Sequence, residues 1–255
     1  MLPGGMHPRG RGEVTDDTLQ ALAVAASLVT CRGYDKDDLM ARLVAAYRNN
    51  PQWFGPTSSA VFDLVIQGVP PQQAAATAHE RLGATRSNGS VMRGFPIGVF
   101  FAPASVPVMS IACSQLTHYD MVAAHSSAWL NLMTSMMCRG SSRETAFLYA
   151  RSRCENTEVF DRLADYRRFA PEPSLDAVLC AHAALFCFMN ARSFEDAVIS
   201  AINLGGDADT VGACCGALAG SFWGMDAIPD RWQRDLDGYA GILIMAHELA
   251  DAAEP

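Results

Sequence analysis

The sequence predicts a single all-α domain, and three observations lead there. Apolar residues recur at helical spacing from Asp17 almost to the C-terminus. Turn-forming residues punctuate these stretches at short intervals. Alternating apolar–polar runs joined by Asn-Gly hairpins, the mark of paired strands, are missing. Half of the 255 residues are hydrophobic, enough for a sizeable core.

The first helix is expected over 17–29 (DTLQALAVAASLV), with Thr15 or Asp16 as its N-cap. The pattern repeats over 37–47 (DDLMARLVAAY), where acidic residues occupy the first turn and complement the helix dipole. Helices follow over 57–66 and over 70–82. Pro70 and Pro71 open the second of these, where a missing N–H is tolerated. Further helices are expected over 121–138, 141–152, 174–189, 194–202, 209–222 and 239–252. Asn49-Asn50-Pro51, Ser87-Asn88-Gly89, Cys138-Arg139-Gly140, Pro171-Glu172-Pro173 and Leu204-Gly205-Gly206 mark turns between them. The segment VFFAPASVPVM (99–109) has some strand character that its prolines weaken. With no linker, repeat or low-complexity stretch, residues 13–255 read as one domain behind a flexible N-terminus, 1–12.

Composition excludes several classes. A net charge of -8 argues against general nucleic-acid binding, which needs a basic face, and suits a site that collects cations. The eight cysteines form no CxxC pair and sit mostly in apolar helical surroundings. They read as small buried hydrophobes of a reducing cytosol. Residues 1–12 (MLPGGMHPRGRG) lack the apolar core of a secretory signal, and no apolar run reaches membrane-spanning length. A soluble, cytoplasmic protein without a membrane partner is expected.

Two acidic clusters carry the chemistry. Thr15, Asp16 and Asp17 precede one small-residue apolar helix; Asp207, Asp209 and Thr210 precede another, in GGDADTVGACCGALAG (205–220). Each cluster alone could simply cap its helix. If the two helices pack side by side, four carboxylates and two threonine oxygens converge, at a cost of several kcal/mol without a counter-charge. All-oxygen ligands favour hard ions, Mg²⁺ or Mn²⁺. Gly205 and Gly206 free the backbone ahead of Asp207. Gly212, Gly216 and Gly220 form a stripe that suits close backbone approach, and a helix that only packs would look the same.

Four segments in order resemble the ADP-ribosylglycohydrolases. They are Thr15-Asp16-Asp17-Thr18-Leu19; 87–98 (SNGSVMRGFPIG), similar to the family's NG(S/A)xMR…PIG segment; 114–120 (SQLTHYD), similar to its LTH element; and 206–213 (GDADTVGA). The resemblance implies an all-α orthogonal bundle. It also implies a metal-dependent hydrolase that cleaves the glycosidic bond between ADP-ribose and a protein side chain or small molecule.

By that resemblance Thr15, Asp16 and Asp17 bind one face of a two-metal centre. Asp207, Asp209 and Thr210 bind the other, with one carboxylate bridging. The ions, Mg²⁺ or Mn²⁺, hold the ribose hydroxyls beside the anomeric carbon. One of the aspartates, drawn from Asp16, Asp17 and Asp209, shuttles protons while water attacks. The segment with Asn88, Gly89, Ser90 and Met92 binds substrate, its turn suited to the diphosphate. Arg93 reads as a phosphate clamp or as a structural salt bridge. His118 is expected near ADP-ribose, whereas His79, His125, His182 and His247 read as ordinary surface or core residues.

Members of the family carry a GDALG-type segment before the first acidic motif. Residues 1–14 do not match it, so the relatives' first helix is expected to be absent here. A second reading is therefore a non-catalytic ADP-ribose-binding or crystallin-like structural relative. A third, a dinuclear phosphoesterase, lacks the histidine ligands many such enzymes use.

Overall fold

A computed structural model describes residues 10–254 of the chain. Within them the chain is built from helices: α1 (Asp16–Cys31), α2 (Lys36–Asn49), α3 (Pro56–Ile66), α4 (Pro71–Leu82), α5 (Gly89–Met92) and α6 (Phe95–Phe100). These are followed by α7 (Val106–Gln115), α8 (Met121–Cys138), α9 (Arg143–Ser152), α10 (Thr157–Leu163) and α11 (Ala177–Asn190). The chain closes with α12 (Phe194–Ile202), α13 (Ala208–Trp223), α14 (Asp230–Asp235) and α15 (Tyr239–Ala252). Among the described residues, extended pairing is confined to one isolated bridge between Ser87 and Asp176.

The expected helices form, with starts set by local chemistry. Asp35, Asp120, Ser142, Asn156, Asp176 and Ser193 each accept backbone N–H groups at a helix entrance, satisfying donors that have no intrahelical partner. Asp176 caps α11 in this way, so that helix begins at Ala177 and the preceding 170–175 stay extended or turned. The stretch with strand character instead spans the end of α6, a turn over 101–105 and the start of α7. Pro96 and Pro107 fall in the first turns of α6 and α7, where proline's fixed φ is already helical.

Helix α8 lies at the centre, packed against α5, α6, α7, α9, α11 and α13. Its buried face mixes Leu130, Leu132 and Met133 with Ser127, Asn131 and Thr134. Asn131 Nδ2 donates to Ser110 Oγ at 3.0 Å and to Ser127 Oγ at 3.1 Å, while its buried Oδ1 has no partner. Gly98 lets α6 lie against α8, since a Cβ there would stand 2.3 Å from the Asn131 carbonyl oxygen.

Helix α13 packs against α11, α12 and α1. Its glycine stripe faces α12: Cβ atoms at Gly212, Gly216 and Gly220 would meet Ile202, Val198 and Phe194 at 2.8, 3.7 and 3.9 Å. Close approach is therefore required only at Gly212. Cys113, Cys180, Cys187, Cys214 and Cys215 are buried free thiols. No helix among the described residues is long and apolar enough to cross a membrane.

Residues 1–9 of the expected flexible stretch lie outside the described residues. Of its remainder, Arg11 forms an ion pair with Asp235, and Gly12 O accepts from Asp237 N at 2.9 Å.

Candidate active site

The two acidic clusters stand at the entrances of α1 and α13, which pack against each other. Thr15 and Asp207 occupy N-cap positions, yet neither side chain caps its helix. In this they differ from the six capped helices above, so the Thr15 hydroxyl and the Asp207 carboxylate are left for other partners. Thr15 Oγ1 donates to Asp17 Oδ2 at 2.8 Å, and Gln20 Nε2 donates to Asp16 Oδ2 at 3.1 Å. Asp17 is buried, and its Oδ1 has no hydrogen-bond partner. An ionised oxygen in that state is costly unless a cation completes it.

On α13, Gly205 (φ 77°) and Gly206 (φ 59°) take left-handed conformations that other residues adopt at a cost. The backbone of Gly206 also passes close to Pro173, where a Cβ would lie 2.7 Å from the proline carbonyl oxygen. This turn delivers Asp207 to Asn88, whose Nδ2 donates to Asp207 Oδ2 at 2.5 Å and to Ser174 O at 3.3 Å. The exposed Asp209 accepts from Thr210 N at 3.2 Å through Oδ1.

The carboxylates feel one another. Burial first, then repulsion from Asp17, pushes Asp16 up to about 7, with Asp209 adding to the rise. Burial also pushes Asp17 up to about 6. The hydrogen bond from Thr15 opposes that rise, while Asp209 and Asp207 add to it. Asp207 is raised chiefly by burial, against the lowering pull of Asn88. Among the described residues, no three His, Cys, Asp or Glu side chains converge closely enough to form a closed ligand cluster. The donor set is nonetheless all oxygen, and the unpaired Asp17 Oδ1 provides a free ligand atom, so these residues fit a hard divalent ion.

The second expected group is divided by burial. Asn88 sits at the N-cap position of α5 with Gly89 behind it. A Cβ on Gly89 would stand 2.9 Å from His118 Cε1, so the glycine lets this turn lie on the imidazole. Ser90 and Met92 point into the core: Ser90 Oγ accepts from Ser114 Oγ at 2.8 Å, and Met92 is 6% exposed. Arg93 is fully enclosed. Its Nη1 donates to Gln20 Oε1 at 3.1 Å, and its Nη2 donates to Cys113 O at 3.0 Å and to Thr117 Oγ1 at 2.7 Å. Of the two readings for Arg93, neither describes these partners, which include no ligand-facing surface and no carboxylate.

His118 is buried between Thr117 Oγ1, 2.7 Å from Nδ1, and Ser87 Oγ, 3.0 Å from Nε2. Burial, with the Arg93 charge nearby, holds its pKa well below the usual histidine value, so the ring is neutral. One tautomer satisfies every group of the network. Thr117 accepts from Arg93 and donates to Nδ1; Nε2–H then donates to Ser87, whose hydroxyl donates to Thr57 Oγ1 at 3.1 Å.

Sequence reasoning did not single out Gln20, Ser87, Thr117 or the strap at Pro173 and Ser174. Ser87 and Thr117 lie within the quoted segments without a role of their own, and Gln20 stands one helical turn beyond Asp16 on the same face.

An all-helical bundle with two uncapped acidic helix entrances around an oxygen-only corner defines the class of protein. The chain belongs to the ADP-ribosylglycohydrolase family, whose model matches residues 1–255. It is 26% identical over 265 residues to the ADP-ribosylarginine hydrolase Tri1 of Pseudomonas putida (strain GB-1), covering 99% of this chain and 70% of that protein. It is 26% identical over 245 residues to the ADP-ribosyl-(dinitrogen reductase) glycohydrolase of Rhodospirillum rubrum, covering 93% and 78%. It is 23% identical over 285 residues to the human ADP-ribosylhydrolase ARH3, covering 92% and 77%. A solved ADP-ribosylglycohydrolase-related protein complex superposes with a TM-score of 0.82 at 29% identity, covering 99% of this chain and 90% of that one. The all-α expectation and the family resemblance are thereby borne out.

Proposed function

We propose that this chain is a divalent-metal-dependent hydrolase acting on the glycosidic bond between ADP-ribose and a modified protein side chain or an ADP-ribose-containing small molecule. The observation that carries this reading is the buried, unpartnered Asp17 Oδ1, with Asp207 at the entrance of α13 not capping its own helix. The relatives' names, all ADP-ribosyl hydrolases, supply the substrate class.

Thr15, Asp16, Asp17, Asp207, Asp209 and Thr210 would hold two Mg²⁺ or Mn²⁺ ions, which supply Lewis acidity and a template for the ribose hydroxyls. The residues of the chain do the rest. Asp16, Asp17 and Asp209 are the acid–base groups. One accepts the proton of the attacking water as the anomeric C–N or C–O bond breaks, and the leaving group departs protonated. Asp209 is the exposed member and meets solvent directly. Asn88 holds Asp207 in place, and Gly89 lets the turn at the start of α5, where a diphosphate would bind, lie against His118. Ser90, Met92 and Arg93 support that turn from the core, and neutral His118 backs it. The eight free thiols suit a reducing cytoplasm.

The test is calorimetric titration of Mg²⁺ or Mn²⁺ into metal-free protein, with an assay for ADP-ribose release from arginine-modified substrate. Binding with release supports the reading, and neither in a folded preparation refutes it. Binding of ADP-ribose without release would identify a non-catalytic relative. Asp16→Ala and Asp209→Ala should abolish release while leaving helical content unchanged.

A further inference from the structure

A side chain outside every motif holds the α1 carboxylate. Gln20 is fully buried and both ends of its amide are engaged, Oε1 by Arg93 Nη1 and Nε2 by Asp16 Oδ2, each at 3.1 Å. A guanidinium only donates, so the amide oxygen faces Arg93 and the NH₂ group faces Asp16. No other natural side chain supplies both ends at this reach. Asparagine is one methylene shorter, glutamate would set a second carboxylate against Asp16, and methionine fills the volume with neither donor nor acceptor.

Arg93 is in turn locked from the other side by Cys113 O and Thr117 Oγ1. It stands at the C-cap of α5 and so joins α1, α5 and the end of α7 through one buried cation. Burying a guanidinium with no carboxylate on it is unfavourable. What it provides in return is a rigid donor array that an apolar side chain lacks. The same cation orients Asp16 through Gln20 and His118 through Thr117.

We propose that Gln20 is a positioning residue for Asp16, oriented by Arg93, and that it sets how this carboxylate meets the divalent ion. The inference rests on the metal-dependent reading above. Outer partners of ligands typically govern 10- to 100-fold in metal affinity, about the effect expected here.

The experiment titrates Mn²⁺ calorimetrically into the metal-free full chain, into Gln20→Met, Gln20→Asn and Asp16→Ala, and into the Gln20→Met/Asp16→Ala double variant. Circular dichroism checks the fold of each. Mn²⁺ affinity should fall about tenfold in either Gln20 variant. The double variant should bind no worse than Asp16→Ala alone, because the glutamine acts through that carboxylate. A folded Gln20 variant that binds within about twofold of the parent overturns the proposal, as do losses that add in the double variant. If Gln20→Met does not fold, Gln20→Asn decides, since its shorter amide still offers Arg93 an acceptor. A parent that binds no Mn²⁺ overturns the metal-dependent reading and this inference together. Binding by the parent with unchanged Gln20 variants overturns the positioning role alone.

Discussion

Asn88 donates to Asp207 across 2.5 Å, fastening the entrance of α5 to the first carboxylate of α13, 119 residues further along the chain. The same amide holds Ser174 O, so one side chain gathers three segments at the rim of the site. Asn88→Ala removes both contacts. A hydrogen bond to a charged acceptor contributes about 1.5–3 kcal/mol. We expect a lower unfolding temperature in scanning calorimetry and slower ADP-ribose release, the release falling more than lost stability explains.

Asp17→Asn should stabilise the metal-free protein while removing metal binding. Unfolded carboxylates titrate near 3.9, whereas folded Asp17 and Asp16 are raised by burial to about 6 and about 7. Between about pH 4 and 7 the folded chain therefore binds more protons at these groups, and their contribution to stability falls as pH rises through that window. Buried, neutral His118 works in the opposite sense, because it protonates only on unfolding as pH falls below the usual histidine value. The difference between variant and parent isolates the carboxylate. The stability gain of Asp17→Asn should be smallest near pH 4 and reach a plateau above about pH 6. A gain that shrinks with rising pH would contradict the burial of a carboxylate with one oxygen left without a donor.

Gly98→Ala and Gly216→Ala separate two kinds of helix glycine. At Gly98 an added Cβ would stand 2.3 Å from the Asn131 carbonyl oxygen, which cannot yield without moving α8. The cost should be about 1–3 kcal/mol or more. At Gly216 the nearest atom is Val198 Cγ2 at 3.7 Å, an ordinary contact. That substitution should stabilise by about 0.5–1 kcal/mol through helix propensity. Urea unfolding of both variants checks the contrast.

Gly89→Ala should act on ligand binding more than on metal binding. Its Cβ would lie 2.9 and 3.0 Å from Cε1 and Nε2 of His118, a ring already held by Thr117 and Ser87. Either the ring or the turn must shift. Calorimetry with ADP-ribose should report weaker binding, and calorimetry with Mn²⁺ should report binding unchanged.

Much of this was legible in the sequence, and the omissions have physical reasons. Helices with one polar face, such as α2 and α4, show their period directly. The segment from Gly89 to Gln115 does not, because α5, α6 and α7 are short and much of α5 and α6 is buried on all sides. Apolar residues there carry no alternation that would reveal a period. Helices α10 and α14 span a turn or two each and have little period to show.

The sequence alone determined the all-α class, most helix starts and the two acidic entrances, because capping, glycine turns and helical periodicity act over a few residues. The tertiary structure decided what those carboxylates do. Aspartates of the same kind cap α2, α8 and α11, while Asp17 and Asp207 are turned toward Thr15 and Asn88. It also decided the place of Arg93, enclosed between Gln20 and Thr117 rather than open to a phosphate. Such partners stand tens of residues apart in the chain, and packing of α1, α5, α7 and α13 brings them within hydrogen-bond reach.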